Sequence, residues 1–110
     1  PVLTCDIETT SLQLQKTGLL TIAFAWDKHN GVALNVEHRN YHTTVQDIYT
    51  LLRKFFETYK GKLIFHNATF DIRHIIYKIF MESNSDIAGM INGLEVMFRD
   101  IEDTKLITYL

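Results

Sequence analysis

The sequence predicts an α/β fold in which a mixed five-stranded sheet is flanked by helices. Three observations predict it. Short apolar runs typical of strands alternate with longer segments whose apolar residues recur at helical spacing. The pair Asn30-Gly31 between two apolar runs indicates a hairpin, so the first three strands are expected to be antiparallel. The later strands each follow a helix, and such crossovers give parallel pairing.

The strands are predicted from apolar runs bounded by turn residues. Residues 2–7 form the first, and Leu19 to Trp26 form a nearly continuous apolar run that is typical of a strand inside a sheet. The third strand is predicted over residues 32–36, after the Asn-Gly turn. The fourth is predicted over residues 62–66, and a short fifth strand over residues 100–103.

The helices follow from apolar residues three and four positions apart. One such face predicts the first helix: Val45, Ile48, Tyr49, Leu52, Phe55, Phe56 and Tyr59. Thr43 or Thr44 is expected to cap its start, and Gly61 to stop it. The second helix is expected to begin at Thr69 or Phe70, and residues 104–110 to form the first turns of a last helix.

A third helix is predicted over residues 87–98. Its apolar positions recur at helical spacing: Ile87, Met90, Ile91, Leu94 and Phe98. Gly89 and Gly93 weaken this helix by roughly 1 kcal/mol each relative to Ala, or else allow another element to approach closely.

The composition indicates one globular domain. The chain has 110 residues, of which 46% are hydrophobic, and this argues against disorder. A net charge of −2 excludes a protein that holds long duplex DNA by charge alone, but not a nuclease that grips a few nucleotides through metal ions. The single cysteine, Cys5, lies in an apolar strand and is expected to be a core residue.

The chain carries no sign of a membrane or secretory segment. Its apolar runs are too short to span a bilayer, and no signal peptide is visible, so we expect a cytoplasmic protein without a membrane partner. Because the sequence begins with Pro1 and stops at Leu110 without a tail signal, we expect it to be part of a longer protein.

Two acidic side chains end the first strand. Because side chains alternate across a strand, Asp6 and Glu8 lie on the same face. Two like charges this close repel unless a cation lies between them or one of them is protonated. Mg²⁺ and Mn²⁺ prefer carboxylate oxygens, so the pair is a candidate metal site. The alternative is an acid pair that simply faces solvent at a strand edge.

A third acid follows the fourth strand. Asp71 falls in the first turn of the second helix, where free N–H groups favour a carboxylate. If the first and fourth strands are neighbours, Asp71 faces Asp6 and Glu8 at the carboxyl edge of the sheet, where ligands of such sheets gather. The alternatives are a charge that complements the helix dipole for Asp71, and a turn or N-cap residue for Asn67.

The segments DIETTSL and HNATFD resemble the first and second motifs of the DEDD-type 3′–5′ exonucleases. The likeness is greatest to the proofreading domain of family A DNA polymerases, particularly phage enzymes. Asp6 and Glu8 match the first motif, and Asn67, Phe70 and Asp71 match the second. A later Asp-Thr-x-Leu-x-x-Tyr-Leu pattern of the family is matched by Asp103, Thr104, Leu106, Tyr109 and Leu110.

The resemblance implies a ribonuclease-H-like fold and catalysis with two divalent ions, Mg²⁺ or Mn²⁺. It implies that Asp6 bridges both ions, that Glu8 binds the water-activating ion, and that Asp71 holds the second ion. The implied partners are the 3′ end of single-stranded DNA and a polymerase domain that follows in the parent chain. The implied substrate contacts are Thr9, Leu12, Asn67 and Phe70, although Phe70 also suits the core.

One departure from the family concerns its third motif, Tyr-x-x-x-Asp or His-x-x-x-x-Asp, which is absent. We expect it to lie beyond Leu110, so this fragment is expected to be inactive alone. Residues 83–98 have no place in the minimal pattern and resemble a subfamily insertion. Two other functions remain open: a non-catalytic module of this fold that binds single-stranded nucleic acid, and a related 3′–5′ exoribonuclease.

Overall fold

The computed structural model of the chain describes residues 1–9, 19–37 and 45–105. The strands are β1 (Val2–Thr9), β2 (Leu19–Ala25), β3 (Gly31–Asn35), β4 (Lys62–Phe65) and β5 (Ile101–Asp103). The helices are α1 (Val45–Thr58), α2 (Ala68–Ile75) and α3 (Ile87–Met97), and a π-helical turn (Ile76–Phe80) continues α2. In the described ranges, no helix has the length and apolar character needed to cross a membrane.

The five strands form one mixed sheet in the order β3-β2-β1-β4-β5. The β1–β2 and β2–β3 pairs are antiparallel, whereas β4 pairs parallel to β1 and β5 parallel to β4. The predicted α/β architecture, with three antiparallel strands followed by parallel ones, is therefore confirmed. The order places β1 in the centre and brings the carboxyl ends of β1, β4 and β5 to one edge.

One face of the sheet supplies the core. Cys5 pairs with Phe24 and Ile7 with Ile22, so these side chains point to the same side. All of them are buried, together with residues of β4, α2, the π-helical turn and α3: Leu63, Phe65, Ile72, Ile75, Phe80 and Met97. Asp6 and Glu8 alternate with the buried positions of β1 and are exposed on the opposite face.

Helix α1 packs its predicted apolar face on the sheet. Leu52 and Phe56 are buried, and the ring of Phe24 on β2 lies 5.1 Å from that of Phe55 and 6.0 Å from that of Phe56. The edge-to-face geometry of the closer pair is a favourable arrangement of aromatic rings. The predicted caps, Thr43 and Thr44, lie outside the described residues.

Helix α3 forms where it was predicted, and it turns its glycines to the core. The apolar side chains that recur along it are exposed: Ile87, Met90, Ile91, Leu94 and Phe98. Gly89, Gly93 and Met97 are buried instead. A Cβ atom at Gly89 would lie 2.3 Å from the Phe80 carbonyl oxygen, and one at Gly93 would lie 2.9 Å from Ile76 Cγ1. The glycines therefore let α3 approach the π-helical turn closely.

The start of α3 is held by Asp86. Its carboxylate accepts hydrogen bonds from the backbone N–H groups of Glu82, at 3.0 Å, and Gly89, at 2.9 Å. These bonds stabilise the ionised form and hold the pKa of Asp86 below its usual value, the Glu82 bond having the larger effect. Asp86 is therefore the N-cap of α3 and joins the helix to the turn before it.

Candidate functional site

The candidate site lies where β1 runs past the end of β4. The pairing of these strands extends from Val2 opposite Lys62 to Thr4 opposite Ile64, whereas β1 continues to Thr9. Asp6 and Glu8 lie in this extension. The register of β1 against β2 shifts between Glu8 and Thr9, an irregularity of the kind that redirects side chains next to functional sites.

Asp71 reaches this extension from the first turn of α2. Its side chain is buried, with 4% of its surface exposed, and its carboxylate accepts a hydrogen bond from the Ile7 backbone N–H. The expected adjacency of β1 and β4 is thus confirmed, and it brings Asp71 to the strand that carries Asp6.

The environment of Asp71 disfavours its negative charge. Burial, and after it the nearby charge of Asp6, raise the pKa of Asp71 to about 7, while the hydrogen bond from Ile7 opposes the shift and Asp103 adds to it. The Oδ2 atom of Asp71 is buried and has no hydrogen-bond partner. A buried oxygen without a partner beside a second acid is a feature that a bound cation would satisfy.

The sequence predicted a cluster of three acids. In the structure, Asp6 is near enough to Asp71 for its charge to raise the pKa of Asp71. Across residues 1–9, 19–37 and 45–105, no group of three or more His, Cys, Asp or Glu side chains is arranged to hold a metal ion. Glu8 shares the exposed face of β1 with Asp6, and its role as a ligand stays a prediction. The chemistry of the pair fits a hard divalent cation that prefers carboxylate oxygens.

Three of the four predicted substrate contacts lie on the segments that carry Asp6 and Asp71. Thr9 ends β1 and is partly buried, and Asn67 begins the turn into α2. Phe70 is partly buried, and its ring lies 4.3 Å from that of His74, so it is neither a full core residue nor fully exposed. Leu12 lies outside the described residues. The roles of all four in substrate binding stay predictions.

Asn67 occupies the N-cap position of α2 in an unusual conformation. Its backbone is left-handed, with φ 78° and ψ 63°, and its side chain makes no capping hydrogen bond. A side-chain cap was the alternative reading of this residue, and the structure shows that Asp103 of β5 supplies the cap instead. The sequence alone did not reveal this, because the two residues are far apart along the chain.

His74 is a second buried polar residue near the site that the sequence did not single out. It lies one helical turn after Asp71 and is 4% exposed. Its Nδ1 atom is 2.8 Å from the Phe70 carbonyl oxygen; because that oxygen only accepts, Nδ1 carries the proton. Its Nε2 atom is buried without a partner. The spacing of three residues from Asp71 was the available signal.

The reaction rate of the Cys5 thiol is a test of the burial of β1 beside the site. It is 1% exposed, and burial, followed by the charges of Asp71 and Asp6, raises the pKa of its thiol far above the usual value. Because the thiolate is the reactive form, we expect Cys5 to react with a thiol reagent at least about ten-fold more slowly in the folded chain than in urea. The absorbance of released thionitrobenzoate measures both rates, and equal rates would contradict the burial of this strand.

A comparison with protein families matches nearly the whole chain. A family model described as a 3′–5′ exonuclease covers residues 1–109. A search of curated proteins finds no match to the chain. The matched range includes both acidic motifs and the end of β5, so the likeness extends over the whole candidate site.

Proposed function

The chain belongs to the 3′–5′ exonuclease family, and from this premise we propose that it removes nucleotides from DNA 3′ ends by metal-dependent hydrolysis, as the proofreading part of a DNA polymerase. Members of this family generally use divalent metal ions, and we propose two ions here, Mg²⁺ or Mn²⁺. The observation that supports this proposal most strongly is the buried, unpaired oxygen of Asp71, whose pKa is raised by burial and by the charge of Asp6.

The acids at the carboxyl edge of the sheet would hold the ions. Asp6 and Asp71 are the primary ligands in this proposal, and Glu8 joins them from the same face of β1 as Asp6. Bound divalent ions would supply stabilisation of the negative charge that develops on the phosphate during hydrolysis. The hydrogen bond from Ile7 to Asp71 fixes one carboxylate oxygen and leaves Oδ2 for a ligand.

The proposed substrate is the 3′ end of a single strand. A net charge of −2 gives the chain no general affinity for duplex DNA, so attraction to the substrate depends on the bound cations. In this proposal Thr9, Leu12 and Asn67 contact the terminal nucleotide, and the partly exposed ring of Phe70 lies under the strand, where an aromatic face suits a base. A polymerase domain C-terminal to these residues is the proposed partner in the parent chain.

A second candidate function is a module of the same fold that binds single-stranded nucleic acid without cleaving it. The arrangement of the described residues favours it in one respect, since no group of three ligands is assembled for a metal ion among residues 1–9, 19–37 and 45–105. This module would bind oligonucleotides equally well with and without Mn²⁺.

Replacing Asp6 separates these functions. We expect Asp6→Asn to weaken Mn²⁺ binding by at least about ten-fold, because the lost charge lies beside Asp71. Electron paramagnetic resonance of free Mn²⁺ measures the affinity. Asp27→Asn is the matched control, since Asp27 lies in an exposed turn where it accepts hydrogen bonds from His29 and Asn30. Equal Mn²⁺ affinity in Asp6→Asn and the parent chain would rule out the metal-dependent function.

The substrate is tested with the longest natural protein that contains these residues. We expect 5′-labelled single-stranded DNA to be shortened stepwise from its 3′ end in the presence of Mn²⁺, and the Asp6→Asn variant to leave it intact. A matched RNA oligonucleotide distinguishes the exoribonuclease: preferential shortening of the RNA would replace DNA as the proposed substrate.

A further inference from the structure

We propose that Asp103 and Thr104, at the end of β5, are positioning residues for the acidic site, because they clamp the turn between β4 and α2 that places Asp71. This inference rests on the proposed function for its effect on metal binding, while the clamp itself is defined by hydrogen bonds alone. Nothing in the family match assigns this role to either residue.

Asp103 holds the second half of the turn. One carboxylate oxygen, Oδ1, accepts the Asn67 backbone N–H at 2.9 Å, and Oδ2 accepts the Ala68 backbone N–H at 3.0 Å. Oδ1 also accepts the Lys105 N–H at 3.0 Å. The first N–H groups of a helix have no partner within the helix, and the Asn67 side chain provides none. Asp103 therefore caps α2 from a neighbouring strand.

Thr104 holds the first half of the same turn. Its Oγ1 donates a hydrogen bond to the Phe65 carbonyl oxygen at 3.3 Å. With that proton committed, Oγ1 accepts from Nδ1 of His66, which lies 2.9 Å away. The last residue of β5 and the residue after it thus contact four successive residues, from the end of β4 to the start of α2. The parallel pairing of Phe65 with Asp103 brings these partners into register.

The clamp matters because the turn has a demanding shape. Asn67 adopts a left-handed backbone, which few residues other than glycine adopt and which asparagine tolerates better than most, so the contacts around it help to fix the turn. Asp71 follows in the first turn of a rigid helix, so a displacement of Ala68 is passed on to it. Its hydrogen bond from Ile7 and its closeness to Asp6 depend on that placement.

Asp103 and Asp71 have different hydrogen-bond environments, which indicates different roles. Both oxygens of Asp103 accept backbone N–H groups, whereas Oδ2 of Asp71 is buried without a partner. A carboxylate that is saturated by backbone donors is suited to holding main chain, and one with a free oxygen is suited to binding a ligand. Asp103 thus acts on the site through Asp71.

The test compares Asp103→Asn with Asp86→Asn. Both carboxylates accept two backbone N–H groups at the start of a helix, and an amide in either place sets an NH₂ group against a donor. We expect both variants to melt at lower temperature. We expect only Asp103→Asn to weaken Mn²⁺ binding, by about ten-fold, as is typical when a residue that orients a ligand is lost. Comparable weakening in both variants, or in neither, would overturn the positioning role.

Two further measurements test the clamp: the Mn²⁺ affinity of Thr104 variants and the hydrogen exchange of backbone amides. Thr104→Ser keeps the hydroxyl and is expected to retain the Mn²⁺ affinity of the parent chain, whereas Thr104→Val is expected to lower it. Without metal, Asp103→Asn should speed hydrogen exchange at the amides of Asn67 and Ala68, and unchanged exchange there would disprove the clamp. If exchange accelerates but the parent chain itself binds no Mn²⁺, the clamp stands and the proposed function fails.

Discussion

Replacing Asp71 by Asn is expected to stabilise the metal-free chain at pH 8 while removing its affinity for Mn²⁺. Burial and the charge of Asp6 raise the pKa of Asp71 from 3.8 to about 7, so folding favours the protonated side chain. An amide resembles that protonated form: its oxygen can accept the Ile7 N–H, and its NH₂ group can donate where Oδ2 has no partner. We expect a gain of about 2 kcal/mol in the free energy of unfolding.

The raised pKa of Asp71 also predicts how the free energy of unfolding depends on pH. Because the folded-state pKa of Asp71 lies above the unfolded value, its protonated form contributes stability below about pH 4 that is lost as the pH rises to about 7. Urea unfolding at pH 5 and pH 8 should show a larger decline for the parent chain than for Asp71→Asn. Added Mn²⁺ should then stabilise only the parent chain. An identical decline in the free energy of unfolding of both proteins would show that the pKa of Asp71 is not raised by folding.

Replacing Gly89 by Ala is expected to destabilise the chain by about 2 kcal/mol. The added methyl group would lie 2.3 Å from the Phe80 carbonyl oxygen and 2.5 Å from Oδ2 of Asp86. The first of these is a backbone atom, which cannot move without displacing the π-helical turn. Ala favours a helix over Gly by about 1 kcal/mol, but overpacking against backbone outweighs this gain.

Ile91→Ala is the matched control for this prediction. Ile91 lies on the outer face of α3 and is 49% exposed, so its truncation should change the free energy of unfolding by less than about 1 kcal/mol. Chemical denaturation of the two variants measures the difference. If Ile91→Ala were the more damaging change, the apolar stripe would face the core, and the orientation of α3 described above would be wrong.

The sheet could be predicted because its signals are local. The apolar runs, the Asn-Gly turn and the crossover helix indicate the strands and their directions, while the structure shows that β1 and β4 are neighbours and so places Asp71 beside the strand of Asp6. The orientation of α3 could not be predicted from its own pattern. Its apolar stripe indicates the core side by hydrophobicity, whereas the structure selects the side on which Gly89 and Gly93 permit close approach.

Other parts of the site depend on contacts between distant residues. Asp103 caps α2 across a separation of 36 residues to Asn67, and no periodicity within either segment signals such a bond. His74 was overlooked because the histidines show no ligand spacing among themselves, although its burial distinguishes it from His29 and His66, which are exposed. The contribution of Glu8 is inferred from its place on the same face of β1 as Asp6, and that of Leu12 from the motif.

The π-helical turn after α2 has a consequence for how sequence length can vary here. The Met81 N–H bonds to the Ile76 carbonyl oxygen five residues earlier, so this turn holds one residue more than an α-helical turn would. Relatives that lack a single amino acid between positions 76 and 80 could keep a continuous regular helix in its place. Such a deletion would be absorbed by the change from a π-helical to an α-helical turn, so the segments after it would avoid the rotation of about 100° that one residue spans in an α-helix, and α3 could keep the same small-residue pattern for docking.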